Sequence, residues 1–101
     1  MTATLTEKQF SQMVVDLARL CGFRVYRTHD SRRSPLGFPD LILCHPKRRL
    51  TLYRELKVEG GRLTAEQRQW LTDLQAAGND ALVWRPADWP AIEKILKGDY
   101  P

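Results

Sequence analysis

A chain of 101 residues is expected to fold as one domain, with no room for a second. Its hydrophobic fraction of 43% and charged fraction of 28% exclude a disordered chain, and no apolar run is long enough to span a bilayer. A net charge of +4 and a pI of about 9.4 favour a polyanionic partner without specifying one.

The first predicted element is a helix from about Leu5 to Cys21. Phe10, Met13, Val14, Leu17, Ala18 and Cys21 recur at three and four residues and form one apolar stripe. Thr6 and Gln9 have capping-box spacing, and Gly22 supplies a left-handed stop. Phe23 to Thr28 alternates and reads as a short strand, and the polar stretch His29 to Gly37 reads as a loop. Leu41-Ile42-Leu43-Cys44, introduced by Pro39-Asp40, is a buried strand. Lys47-Arg48-Arg49 is the tip of a hairpin. Leu50 to Lys57 alternates, with Leu50, Leu52, Arg54 and Leu56 on one face and Thr51, Tyr53, Glu55 and Lys57 on the other. Gly60-Gly61 breaks the chain. Thr64 and Gln67 repeat the capping box before a helix from Ala65 to Ala77, which offers Leu71 and Leu74 with Trp70 or Ala77 as its apolar side. Asp80 to Arg85 is a strand, Asp88 caps a last helix over Trp89 to Lys97, and the tail from Gly98 frays. The order α-β-β-β-α-β-α gives an α/β fold. Its mixed four-stranded sheet holds an antiparallel hairpin and a parallel fourth strand reached over a helical crossover.

Cys21 and Cys44 sit in apolar surroundings and read as buried free thiols, which fits a reducing, cytoplasmic compartment. Neither they nor His29 and His45 have zinc spacing. No targeting segment is expected, and no P-loop, dinucleotide fingerprint or G-x-S-x-G is present.

The anomaly is Glu55 with Lys57. Two apart on a strand, they leave the same face, and burying both is costly. Asp40 opens the preceding strand and can come beside Glu55 if the register allows. Two carboxylates and a lysine have a chemical logic for phosphodiester hydrolysis. Hard oxygen ligands from Asp40 and Glu55, with the Leu56 carbonyl, suit Mg²⁺ or Mn²⁺, and Lys57 serves the nucleophile or the charge developing at phosphorus. For Glu-x-Lys alone, a solvated strand face is the better reading. Pro39-Asp40 ahead of an apolar strand in a basic α/β domain changes that weighing.

Gly37-Phe38-Pro39-Asp40, then Glu55-Leu56-Lys57, then Gly60-Gly61-Arg62-Leu63-Thr64-Ala65-Glu66-Gln67 resemble the VRR-NUC family of the PD-(D/E)XK nuclease superfamily. The likeness runs over nearly the whole of residues 1–101, and the short length resembles the stand-alone members of bacteria and their phages. The resemblance implies a restriction-endonuclease-like core, metal ligands at Asp40 and Glu55, a catalytic lysine at Lys57 and a glutamine near the site at Gln67. It also matches Glu7 to an acidic residue that assists the metal, although an acid in a first helical turn is favoured by the helix dipole as well. It further implies a homodimer that cuts branched DNA such as four-way junctions.

Around this centre, His29, Arg32 and Arg33 are candidates for phosphate contact from the loop, and Arg62 from the start of the second long helix. Lys47, Arg48 and Arg49 read rather as solvated charge on a hairpin tip, and Arg24 and Arg27 as surface charge. Trp70, Trp84 and Trp89 read as core or dimer-interface anchors, and Tyr53 either lines the site or packs against helix one. The rivals from other classes are a non-catalytic DNA-binding module that keeps the nuclease fold, and an interaction protein whose charged strand is ordinary surface.

Overall fold

The computed structural model describes residues 5–28 and 36–98. His29, Arg32, Arg33 and the tail beyond Gly98 lie outside them. Seven elements follow in the predicted order: α1 (Glu7–Leu20), β1 (Arg24–Arg27), β2 (Leu41–His45), β3 (Leu50–Leu56), α2 (Ala65–Ala76), β4 (Asp80–Trp84) and α3 (Trp89–Lys97). The sheet order is β1-β2-β3-β4. The first two pairings are antiparallel, and the third is parallel with α2 as its crossover.

Both capping boxes form. Thr6 and Gln9 exchange side-chain and backbone hydrogen bonds at the start of α1, and Thr64 and Gln67 do the same at α2. The buried stripe of α1 is Phe10, Val14, Val15 and Ala18, whereas Met13 is exposed. The apolar period located the stripe but not its flank, because α1 lies against α3 as well as β1 and β3. These residues meet Phe23, Leu41, Leu43, Leu52, Leu56, Trp84, Ile92 and Leu96 in one core on that face of the sheet. Leu71 of α2 and Ala81 are buried outside that cluster, on the opposite face.

Several local expectations need correction. Cys21 and Cys44 are free but only half-buried. The Asp88 carboxylate does not cap α3; it accepts from the Arg85 amide at 2.9 Å and closes the short 3-10 turn before that helix. Tyr53 packs away from α1, with its ring edge-on to Phe38, which in turn meets Trp70 of α2. The hairpin tip is a 3-10 turn over Pro46–Arg48, closed by Arg49 at φ 55°. Arg48 is not solvated charge. It donates to the carbonyls of Ile95 (2.8 Å) and Leu96 (3.1 Å) and lies over the Phe23 ring, so it closes the negative end of α3.

Arg54 shares the face of Leu52 and Leu56, as the alternation predicts, and is wholly buried. Its guanidinium donates to the Tyr53 and Asp80 carbonyls and to Asp80 Oδ1 (2.8 Å), and it lies over the Trp84 ring. A charge at this depth is tolerable only because it is paired and hydrogen-bonded. The pair ties β3 to the start of β4, the two strands that α2 joins.

Gly37 sets how the loop ahead of β2 meets α2. Its φ is +85°, and an added Cβ would lie 2.5 Å from the Glu66 carbonyl carbon and 2.7 Å from the Gln67 amide nitrogen. Gly60 has a similar φ of +81° but open space around it. Gly37→Ala is therefore expected to lower Tm by roughly 10 °C or more, adding a backbone clash to the left-handed strain of about 1–3 kcal/mol. Gly60→Ala bears the strain alone and should lose less. Equal losses in thermal melts would refute the close packing of this loop on α2.

Candidate active site on the central hairpin

The site forms where β2 begins and β3 ends. Leu41 pairs with Arg54, so Asp40, one residue earlier, comes opposite Glu55. Asp40 Oδ2 accepts the Leu56 amide at 3.0 Å, bonding across the hairpin just where the regular strand pairing stops. From the other side, the Thr28 amide donates to the Asp40 carbonyl (2.9 Å) and the Thr28 hydroxyl to the Pro39 carbonyl (3.0 Å). Asp40 is thus fixed by the strands on both sides of it.

Glu55 is only 2% exposed. Its Oε2 accepts from Gln67 Nε2 at 3.1 Å and lies 3.8 Å from Lys57 Nζ. The direction of the Gln67 amide is set by the capping box: Gln67 Oε1 accepts the Thr64 amide at 2.9 Å, which leaves the NH₂ group to face Glu55. One side chain thereby starts α2 and holds Glu55. Glu7, in the first turn of α1, completes the group. Carboxylate oxygens of Glu7, Asp40 and Glu55 all lie within 4.8 Å of one another.

Burial is the first cause of an altered Glu55. Desolvation, then the Asp40 charge, then a hydrogen bond to the Asp40 carboxyl push its pKa from 4.5 up to about 8; Lys57 opposes this and Glu7 adds to it. The ionised form leaves Oε1 buried with no hydrogen-bond donor among the described residues. Three crowded carboxylates, one with an unpartnered buried oxygen, fit a divalent cation held by hard oxygen ligands. Leu56 lines the same cleft, next to the Asp40 bond.

The structure thus brings together Glu7, Asp40, Glu55, Leu56, Lys57 and Gln67. Arg62 is exposed ahead of α2. The cleft, about 260 Å³, is also lined by Lys8, Ser11, Arg27 and Thr28. Arg27, which the sequence allows as surface charge, is instead half-buried here. Its position at the end of β1 was legible, but the approach of α1 to that end is a tertiary contact that no local pattern carries.

Because Glu55 keeps its proton in the folded chain between pH 4.5 and about 8, where the unfolded chain has lost it, the metal-free protein binds more protons folded than unfolded. This stabilisation is full below the unfolded value and is lost as pH rises through the folded one. In EDTA, Tm should fall across that window. Glu55→Gln should flatten the fall and raise Tm at pH 8 by roughly 4–8 °C, corresponding to about 1 kcal/mol. A wild-type curve that rises with pH would show that Glu55 is ionised when buried.

The VRR-NUC domain profile matches residues 2–88. No curated protein matches significantly. Among solved structures, a VRR_NUC domain protein superposes with a TM-score of 0.70 at 22% identity, covering 92% of this chain and 87% of its own. Hjc from Archaeoglobus fulgidus, described as a Holliday junction resolvase from an archaeal hyperthermophile, superposes with a TM-score of 0.52 at 27% identity. That match covers 75% of this chain and 64% of Hjc. The restriction-endonuclease-like sheet expected from the sequence is therefore the observed fold, and with a family match across most of its length this chain belongs to the VRR-NUC family.

Proposed function

We propose that this chain is a metal-dependent DNA endonuclease that acts on branched DNA such as four-way junctions, as a homodimer presenting one site to each of two strands. The observation that carries the reading is the convergence of Glu7, Asp40 and Glu55 within 4.8 Å, with Lys57 3.8 Å from Glu55. Family membership supports nuclease chemistry, and the likeness to Hjc supports the branched substrate.

Asp40 and Glu55, with the Leu56 carbonyl and Glu7, would hold Mg²⁺ or Mn²⁺. Such an ion supplies an acidified water and neutralises charge on the phosphate. The chain's own groups do the rest. Asp40, tied to the Leu56 amide, fixes where the ion's ligands lie relative to β3. Gln67 orients the Glu55 carboxylate through an amide that cannot turn without breaking the α2 cap. Lys57, 14% exposed, keeps its ammonium against Glu55 and can offer it to a phosphate oxygen or to the attacking water.

The test is a gel assay on labelled linear, flap and four-way-junction DNA with Mg²⁺, Mn²⁺ or EDTA. Cleavage should require metal and prefer the junction. Lys57→Ala, Asp40→Asn and Glu55→Gln should each reduce it by at least about 100-fold. Cleavage in EDTA, or undiminished cleavage by both carboxylate variants, would overturn the reading. Metal-independent binding without cleavage would favour a silent DNA-binding module.

Gln67→Glu separates fold from function at one position. Thr-x-x-Glu is itself a capping box, so helix content by circular dichroism should hold, while the donor to Glu55 becomes a like charge. Cleavage should fall roughly 10–100-fold, the usual cost of a lost supporting hydrogen bond at a metal site. Unchanged cleavage with unchanged helix content would remove Gln67 from the site.

A further inference from the structure

One cation in the cleft is kept away from the carboxylates around it. Arg27 lines the cleft together with Glu7 and Asp40 yet makes no ion pair with either. Its backbone is close to the site: Arg27 pairs with Leu41, and the next residue, Thr28, bonds Asp40. What holds its guanidinium is a neutral acceptor. Arg27 Nη2 donates to Gln12 Oε1 at 3.0 Å. The Gln12 amide is oriented in turn, because Gln12 Nε2 donates to Asp16 Oδ1 at 2.6 Å. A turned amide would set NH₂ against guanidinium and oxygen against carboxylate, so Asp16 fixes which end of Gln12 meets Arg27. The chain Asp16–Gln12–Arg27 therefore positions a full positive charge without neutralising it.

That charge is short of acceptors. Of the five N–H donors of a guanidinium, only the one bonded to Gln12 has a partner among the described residues, and Arg27 Nε is buried with none. A buried donor without an acceptor is costly, so such a group points to an acceptor arriving from outside. The planar guanidinium matches the oxygens of a phosphate, and Lys8, which also lines the cleft, adds a second cation.

We propose that Arg27 binds a backbone phosphate of the nucleic acid in this cleft, and that Gln12 is the residue that positions it. The proposal rests on the nuclease reading for its ligand, but its test does not require cleavage.

Binding of a labelled four-way junction is measured against salt in Mg²⁺, on the Lys57→Ala background so that the DNA stays intact. Arg27→Gln should lower the slope of log Kd against log salt by about 1, the signature of one lost phosphate contact. Arg27→Lys should keep the slope and bind more weakly. Gln12→Ala, at an exposed helical position, should raise Kd several-fold with Tm unchanged. Gln12→Ala combined with Arg27→Gln should bind no worse than Arg27→Gln alone, since Gln12 acts only through Arg27. An unchanged slope in Arg27→Gln, or Gln12 and Arg27 effects that simply add, would overturn the proposal. Wild-type cleavage with an unchanged slope defeats the phosphate contact and leaves the nuclease standing. A lowered slope without any wild-type cleavage does the reverse.

Discussion

Burying the Glu55 carboxylate is the constraint around which the rest of this molecule is arranged. A lone carboxylate at that depth would be neutralised by protonation or would unfold its surroundings. Here it is surrounded by groups that each answer part of the problem. Gln67 gives it a hydrogen bond and Lys57 a partial counter-charge, while Asp40 and Glu7 add repulsion that a retained proton or a bound cation relieves. The site is destabilising by construction, and the fold around it supplies the compensation.

That compensation is concentrated at a few tertiary joints. Arg54 and Asp80 lock β3 to β4, so the strand bearing Glu55 cannot shift relative to its parallel neighbour. Gly37 lets the loop ahead of Asp40 approach the backbone of α2 at Glu66 and Gln67. The two segments that face each other across the site are therefore in direct contact. Arg48 fastens the far end of the hairpin to α3. Each of these joints limits how far the strands that carry Asp40 and Glu55 can shift.

Side-chain amides do the same work twice in this chain. Gln67 and Gln12 each use one end of the amide on a local partner and present the other to an active-site charge. In both cases the local bond removes the freedom to turn, so the functional bond has a defined sense. Gln67 holds the Glu55 carboxyl group, and Gln12 holds the Arg27 guanidinium.

The sequence alone determined the elements and their order, because periodicity, caps and glycine stops are local signals. Thr6–Gln9 and Thr64–Gln67 were readable as helix starts for that reason. It also determined that Glu55 and Lys57 share a face and that Asp40 precedes a buried strand, since the strand period is two. The meeting of Asp40 with Glu55 depends on a register, Leu41 with Arg54, that only the assembled hairpin fixes. The same holds for Arg48, Arg54 and Arg27. Each is a basic residue in a polar or alternating stretch, and nothing within a few residues tells a solvated arginine from one that caps a helix, pairs in the core or lines a cleft. Those roles come from elements distant in sequence. An arginine's burial is decided by what folds over it, and that decision is made by the tertiary structure.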